Sequence, residues 1–129
     1  AVLDGKRLDH INPMATPIAH GVNVVMSSDN LPIGPMVGIY AAVTRKGLTG
    51  HQFAPTEAIT REQALRLYTA KAAAVAWDEA KKGSIEPGKF ADLIVLDRDP
   101  LTVPADQLLQ TQVDLTYVGG KLLWNRTGE

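Results

Sequence analysis

The residue best placed for acid–base chemistry is Asp29, which follows a short β-branched run at residues 22–26. Gly21 precedes this run and polar residues follow it, so the pattern predicts a strand, buried on both faces, that ends in a loop. A carboxylate beside a divalent metal ion can accept a proton from bound water, whose pKa the metal lowers to about 7. Aspartate is also a favoured turn residue, so a structural cap after the strand is the alternative role.

Histidines are the next candidates, because a hydrolytic metal site commonly takes three protein ligands and leaves one position open. The chain contains His10, His20 and His51, and none of them belongs to a metal-binding motif. We expect all three in loops or on the surface, with substrate contact as the alternative for His51, which lies in a polar segment. By itself, the chain therefore supplies too few ligands for such a site.

Other charged and aromatic side chains have simpler explanations. Asp92 and Asp97 flank the apolar run 93–96, and their spacing places them on opposite faces of a strand, which argues against a shared site. Lys71 lies in an alanine-rich helical stretch, so we expect a solvated charge there. Trp77 and Trp124 are predicted to be packing anchors.

Composition excludes several classes of function. The formal net charge is −1 with no basic cluster, which argues against nucleic acid or an anionic membrane as a partner. The absence of cysteine excludes disulfides, thiolate metal sites and a cysteine nucleophile. No apolar run approaches membrane-spanning length and no export signal is visible, so a cytoplasmic location is expected. The first residue, Ala1, suggests that an upstream part has been removed.

The segments that follow Asp29 predict mainly helices. Prolines and a glycine within residues 31–35 predict a loop, and residues 36–44 predict a short helix capped near Gly47. A longer helix is predicted for residues 60–81, with Gly83 as its stop.

Two side-chain pairs support the start of this longer helix. Thr60 and Gln63 match a capping box, in which each side chain bonds the other residue's backbone N–H. Glu62 and Arg66 are spaced for an ion pair on one helical face.

From Phe90 onward the pattern becomes extended, after a turn. Residues 86–89 predict a type II turn, and residues 93–96 predict a buried strand. Alternation over residues 113–117 predicts a half-buried strand, and the glycine pair that follows predicts a hairpin into residues 121–124. A short helical turn is expected near residues 105–109.

Three stretches in this order resemble the metal-dependent amidohydrolase superfamily: residues 21–29, residues 65–76, and the segment GSIEPGKFADLIVLD at residues 83–97. The last stretch is the most specific, and the TYVGGK hairpin at residues 116–121 fits the same order. Ser28-Asp29 followed by Leu31-Pro32, together with the later Ala42-Val43-Thr44-Arg45, resembles the family 3-like branch of broad-specificity amide and carbamate hydrolases.

The resemblance implies an α/β fold: a (β/α)8 barrel that carries the metal site, plus a small β-sandwich built from both ends of the full polypeptide. A barrel of this kind typically takes about 250 residues, so the 129 residues here would form only a C-terminal fragment of it. Residues 1–82 would be the end of the barrel domain, with its last strand and following helices. Residues 83–129 would be the C-terminal half of the accessory sandwich.

The resemblance also implies a role for Asp29, which matches the family's metal ligand and proton acceptor just beyond the eighth strand. The metal would be divalent, most often zinc, and the substrate a small molecule with an amide-like, carbamate or cyclic amide bond. The family's His-x-His pair, its bridging ligand and its later histidines have no counterpart here. We therefore expect a metal-dependent hydrolase as the parent, and no activity in this chain alone.

Two interpretations remain open at this point. In the first, the chain is part of an enzyme and needs the missing N-terminal part, or self-association, to complete its sheets. In the second, it is a non-catalytic module: either a regulatory or interaction protein that retains only the C-terminal half of the fold, or a subunit that completes its sheet with a partner. A His-x-His strand encoded upstream would favour the enzyme.

Overall fold

The computed structural model describes residues 5–28, 34–47 and 49–128. Its helices are α1 (Ala15–Ala19), α2 (Pro35–Thr44), α3 (Arg61–Tyr68) and α4 (Ala70–Val75), its strands are β1 (Leu93–Leu96), β2 (Val113–Val118) and β3 (Lys121–Asn125), and its 3-10 turns are Gly5–His10, Pro55–Glu57 and Ala105–Gln110. In the described part of the chain, no helix is long and apolar enough to cross a membrane.

Helix α2 confirms the short helix expected after Asp29. Pro35 occupies its first turn, where a missing backbone N–H has no cost. The predicted cap at Gly47 is wrong, because Arg45 ends the helix in a left-handed conformation with φ 57°. Its backbone N–H donates to the carbonyl of Ala41 at 2.8 Å. A non-glycine residue rarely adopts this conformation, so other contacts of Arg45 must hold it there.

The capping box at the start of α3 is confirmed. Thr60 N–H donates to the Gln63 side chain at 2.9 Å, and Gln63 N–H donates to the Thr60 hydroxyl at 3.1 Å. The ion pair predicted on the outer face is also present, with Arg66 Nη2 and Glu62 Oε1 3.0 Å apart. These contacts are local, and sequence spacing alone is enough to predict them.

The predicted length of this helix is wrong. Thr69 breaks it with φ −121° and ψ −96°, and α4 then ends at Val75. Two bonds close the end in a Schellman motif: Asp78 N–H donates to Ala73 O at 3.0 Å, and Trp77 N–H donates to Ala74 O at 3.2 Å. Trp77 takes the left-handed position usual for glycine, with φ 55°, so the helix stops well before Gly83.

The strand predicted at residues 22–26 is not present, because no segment of the described chain forms a ladder with it. Val22 N–H instead donates to Pro17 O at 3.0 Å, and Met26 N–H donates to Leu67 O at 3.3 Å. Val22 and Val25 are exposed, so burial on both faces is also wrong. An extended run becomes a strand only when a neighbouring strand takes its backbone bonds.

The hydrophobic core lies between α2, α3 and the turn Ala105–Gln110. The residues buried there are Ile39, Ala42, Ile59, Ala64, Leu67 and Leu108. Val24 and Met26 pack against this core from the segment that leads to Asp29. Leu108 packs across the predicted boundary between residues 82 and 83, and the division into two domains at that boundary stays a prediction.

The three strands form one antiparallel sheet in the order β1-β2-β3. Val118 pairs with Lys121 around Gly119 and Gly120, whose φ values of 57° and 79° suit the tight hairpin that the glycine pair predicts. The predicted turn at residues 86–89 is confirmed by the bond from Lys89 N–H to Glu86 O at 3.2 Å. The short helical turn expected near residues 105–109 is present as Ala105–Gln110.

Burial in the sheet differs from the prediction. Ile94 and Val95 of β1 are 50% and 41% exposed, so this strand is not buried. On β3, Leu123 and Trp124 are 60% and 55% exposed. Trp77 is 88% exposed, so the prediction that Trp77 and Trp124 are packing anchors is wrong. The three strands contain many apolar residues, but little of the described chain covers the sheet.

Candidate active site

Asp29 lies outside the described residues, so its roles as metal ligand and proton acceptor stay predictions. The chain is described up to Ser28 on one side and from Gly34 on the other. Helix α1 precedes the irregular segment 22–28, and Met26 in that segment is bonded to the carbonyl of Leu67 near the end of α3. The described structure therefore shows how the segment that leads to Asp29 is held.

Glu57 makes several side-chain contacts with the residues at the start of α1. Its carboxylate accepts hydrogen bonds from the backbone N–H groups of Met14 and Thr16, each at 2.9 Å, and from the Thr16 hydroxyl. The residue is only 3% exposed. These bonds, the one from the Thr16 hydroxyl first, lower the pKa of Glu57 below its ordinary value. The carboxylate is therefore ionised at neutral pH.

Arg45 makes the complementary set of contacts. Its Nη2 donates to the carbonyls of Ile11 at 2.8 Å and Asn12 at 3.1 Å, and its Nε donates to Phe53 O at 3.3 Å. Arg45 is 8% exposed. Burial lowers its pKa, and the nearby charge of Glu57 partly offsets that effect. Since both side chains bond backbone groups of residues 11–16, we call Glu57 and Arg45 the buried clamp.

The buried clamp was not predicted from the sequence. Glu57 is an isolated acid in the otherwise uncharged stretch 53–60, which is the only local sign of a buried charge. Arg45 belongs to the stretch 42–45 that resembles the family, but the sequence indicates no hydrogen-bond partner for its side chain. The partners of both side chains lie 33 to 43 residues away along the chain, except for Phe53, and spacing cannot reveal such contacts.

The histidines are not brought together. His10, His20 and His51 are all exposed, which confirms the expected surface and loop positions. His20 Nδ1 lies 2.8 Å from Thr16 O, and the His51 ring packs 4.4 Å from that of Phe53. Substrate contact by His51 stays a prediction.

The two acids around β1 serve separate structural contacts, as their spacing predicts. Asp92 accepts a bond from Gly119 N–H at 2.7 Å, beside the hairpin between β2 and β3. Asp97 pairs with Arg98 at 2.7 Å and accepts from Gln112 N–H at 2.9 Å. These contacts, the bond from Arg98 first, lower the pKa of Asp97 to about 2. Lys71 is exposed, in agreement with a solvated charge.

A groove of about 620 Å³ lies between α4 and the sheet. Ala72 and Ala76 line it on the helical side, and Ile94 and Tyr117 line it on the sheet side. Its acid, Asp92, is already bonded to the backbone of the hairpin. The helical side of the groove is therefore lined by small apolar side chains, and its acid is already satisfied.

The described residues do not fit a metal centre. Within ranges 5–28, 34–47 and 49–128, no three His, Asp or Glu side chains form a group that could hold a metal ion. A hydrolytic metal site needs such a group, commonly of three protein ligands. The described residues therefore do not form a hydrolytic metal site by themselves.

Comparison with known proteins identifies the family. The model of the "Amidohydrolase family" matches residues 1–123. The N-substituted formamide deformylase of Arthrobacter pascens is 39% identical over 96% of this chain and 24% of its own length. The 5-methylthioadenosine/S-adenosylhomocysteine deaminase of Teredinibacter turnerae is 31% identical over 86% of this chain and 27% of its own length.

A solved structure agrees at the level of the fold. The crystal structure of an amidohydrolase from Thermotoga maritima MSB8 matches with a TM-score of 0.63 and 24% identity, over 84% of this chain and 24% of that chain. The chain thus spans about a quarter of the length of these similar proteins. Because the family model matches almost all of its residues, the chain belongs to the amidohydrolase family.

Proposed function

We propose that this chain is the C-terminal part of a metal-dependent hydrolase that cleaves amide-like, carbamate or cyclic amide C–N bonds. The observation that carries this proposal is the 39% identity, over 96% of the chain, to a protein named as an N-substituted formamide deformylase. An N-substituted formamide is an amide, which favours amide-like substrates within the proposed range.

The proposed architecture assigns residues 1–82 to the end of a (β/α)8 barrel and residues 83–129 to half of a β-sandwich. Two observations support it. Residues 22–28 form no helix and pair with no strand in the described chain, as a barrel strand separated from its neighbours would. The sheet β1-β2-β3 carries apolar side chains that are about half exposed, such as Ile94 and Trp124. Both features suit elements that pack against the rest of a longer polypeptide.

In the proposed mechanism, Asp29 would be one ligand of a divalent metal, zinc in our proposal, and its carboxylate would be the group that accepts a proton from water. The metal would supply a lowered water pKa and a polarised carbonyl. The other ligands would come from residues outside the part of the chain that the structure describes. The assignment of Asp29 rests on its position after the apolar run 22–26 and on the resemblance of residues 21–29 to the family.

The decisive experiment replaces Asp29 with Asn in the full-length enzyme. The change keeps the side-chain size but removes the charge that accepts a proton, so kcat should fall about 10²–10⁴-fold. The melting temperature should change little. Asp92→Asn is the matched control: it weakens the bond to Gly119 N–H and should change stability more than rate. The measurements are kcat and melting temperature for both variants.

The opposite pattern would contradict the assignment. If Asp29→Asn lowers the melting temperature strongly but keeps near-normal kcat, Asp29 is a structural cap.

The isolated chain provides a second test. Purified residues 1–129 with zinc, manganese or cobalt should show negligible hydrolysis of amide, carbamate and lactone substrates. Turnover that a chelator removes and that Asp29→Ala abolishes would contradict this part of the proposal, because it would mean that the chain completes a metal site alone.

The exposed apolar side chains of the sheet also predict the behaviour of the isolated chain in solution. Uncovered strand edges and apolar faces favour pairing with a second copy. Size-exclusion chromatography with light scattering should therefore detect self-association, or a hydrophobic dye should bind. A monomer that binds no dye would argue against a missing partner.

A further inference from the structure

A second cavity, of about 270 Å³, lies beside α2 and shares no lining residue with the groove between α4 and the sheet. Two basic residues line it: Arg45, which ends α2, and Lys46, which follows it. Ile11, Ala41 and Phe53 give the cavity apolar walls. The described residues that line it include no acid. The cavity therefore combines positive charge with apolar surface.

Arg45 is built into this cavity, since the residue is only 8% exposed. Its Nη2 donates to the carbonyls of Ile11 and Asn12, and its Nε donates to the carbonyl of Phe53. Nη1 is the remaining nitrogen, and none of the described residues accepts a hydrogen bond from it. Since a guanidinium has five N–H donors, the two on Nη1 remain for another acceptor.

The positive charge of Arg45 is not paired directly. Carbonyl oxygens bond a guanidinium without neutralising it, and none of the ion pairs between described residues includes Arg45 or Lys46. Glu57 bonds Met14 and Thr16 instead, and burial lowers the pKa of Arg45 more than the charge of Glu57 raises it. A buried charge without a paired ion is unfavourable, so a bound anion would stabilise this arrangement.

The backbone around the cavity is held in an unusual conformation. Asn12 and Arg45 both line it, and their φ values of 46° and 57° lie in the left-handed region that side chains disfavour. Lys46 pairs with Gln52 in an isolated antiparallel bridge, which returns the chain to Phe53. Strain of this kind persists only where surrounding contacts enforce it, and it is concentrated at functional sites. A preformed cavity also lowers the entropic cost of binding a ligand.

We propose that this cavity binds a small organic carboxylate. Its charged group would accept hydrogen bonds from Arg45 Nη1 and the Lys46 ammonium, and bonds between ionised partners are stronger than neutral ones. Its short apolar part would lie against Ile11, Ala41 and Phe53 and gain free energy by leaving water. This inference does not depend on the proposed function, because none of these residues takes part in the proposed hydrolysis.

The size of the cavity and its walls limit the ligand. A water molecule takes about 30 Å³ in the liquid, so a cavity of about 270 Å³ has room for a ligand such as butyrate. Inorganic phosphate carries the charge but has no apolar part, and it would lose hydration beside the apolar walls without compensation. Butylamine has the apolar part but carries the wrong charge for Arg45 and Lys46.

The main test is isothermal titration calorimetry of the purified full-length protein with these three probes. Butyrate should bind at one site with a dissociation constant on the order of 1 mM, which is within the limit for a ligand of so few atoms. Phosphate should bind at least about tenfold more weakly, and butylamine should not bind. The difference between the probes measures the contributions of charge and apolar contact separately.

Variants then locate the site. Lys46→Met removes one charge from an exposed side chain and should weaken butyrate binding about tenfold, the usual effect of losing a hydrogen bond to a charged group. Lys71→Met is the matched control on α4, away from this cavity, and should bind as the wild type does. Ala41→Leu fills the cavity and should abolish binding, whereas Ala41→Ser keeps it open. Arg45 is left intact in these variants because its other nitrogens hold the backbone.

Melting temperatures of all four variants without ligand show whether the fold is intact. If butyrate does not bind the wild type, the inference is wrong. It is also wrong if Lys46→Met and Ala41→Leu bind butyrate as tightly as the wild type, because the ligand then lies elsewhere. Phosphate or butylamine bound as tightly as butyrate would contradict the proposed class of ligand.

Discussion

The helical region and the sheet contrast sharply in how they bury apolar side chains. In the helical region, Ile39 is 1% exposed and Leu67 is 3% exposed, and α2, α3 and the turn Ala105–Gln110 surround them. In the sheet, Ile94 is 50% exposed and Leu123 is 60% exposed, although the strands pair regularly. Pairing of strands therefore does not by itself bury their side chains. In the C-terminal part of this chain the strands are paired, but many of their apolar side chains stay about half exposed.

The largest expected effect compares the same residue type in both regions. Ile39→Ala should lower the free energy of unfolding of the chain by about 2–5 kcal/mol, because it leaves a cavity in a close-packed core. Ile94→Ala should cost about 1 kcal/mol or less, since half of this side chain is already exposed. Urea unfolding at a fixed protein concentration measures both. Equal losses in the isolated chain would break the contrast between the two regions.

The same pair sharpens the comparison in the full-length enzyme. If the proposed sandwich covers β1 there, Ile94→Ala should become nearly as destabilising as Ile39→Ala. A loss that stays small would show that the sheet face is uncovered in the enzyme as well.

Glycine substitutions test the place where the chain returns to α4. Gly83 and Gly88 both have positive φ, 96° and 90°, so alanine is strained at either position. A Cβ at Gly83 would in addition lie 2.6 Å from Ala73 Cβ, whereas nothing lies within 4 Å at Gly88. Gly83→Ala should therefore cost about 1–3 kcal/mol more than Gly88→Ala, the usual range for overpacking. Similar urea midpoints for the two variants would contradict this close approach.

Substitutions at the start of α3 test the helix cap, whose contribution to stability does not depend on side-chain packing in either region. Thr60→Ala removes the side-chain acceptor for Gln63 N–H, and loss of such a cap costs about 1 kcal/mol. Thr60→Ser keeps the acceptor and should remain close to the wild type. Thermal unfolding of both variants measures the difference, and equal melting temperatures for them would argue against the capping box.

The smallest expected effect concerns a polar contact of the sheet. The pKa of Asp97 is lowered from 3.8 to about 2 by its bonds to Arg98 and Gln112. A lowered pKa means that this stabilisation is fully present above pH 3.8 and is lost as pH falls towards 2. The wild type should therefore lose stability over this interval more steeply than Asp97→Asn. Parallel curves of urea midpoint against pH would show that Asp97 does not contribute.

Much of the local structure could be predicted from residue types and spacing. The capping box of Thr60 and Gln63, the turn at residues 86–89 and the glycine hairpin depend on neighbouring residues, and all three are confirmed. Neighbouring residues could not decide whether residues 22–26 form a strand. Its residues favour an extended conformation, but a ladder needs a partner strand that this pattern does not specify.

The residues of the candidate site also differ in whether local sequence could predict them. The position of Asp29 after an apolar run and the family resemblance together predict its role as metal ligand and proton acceptor. That role is still a prediction. Glu57 and Arg45 were not selected, because their partners lie mostly 33 to 43 residues away and no motif links them. Burial of their charges depends on how α2, the turn Pro55–Glu57 and the N-terminal segment fold together.

The sequence by itself determined the family, the strand and hairpin pattern of residues 93–125 and the start of α3, because these depend on local geometry or on stretches matched as a whole. Tertiary structure alone decided which apolar residues are buried and which charged side chains are buried with them. A buried ionic clamp costs free energy locally. It persists only because contacts from distant parts of the chain offset that cost, and no local pattern contains those contacts.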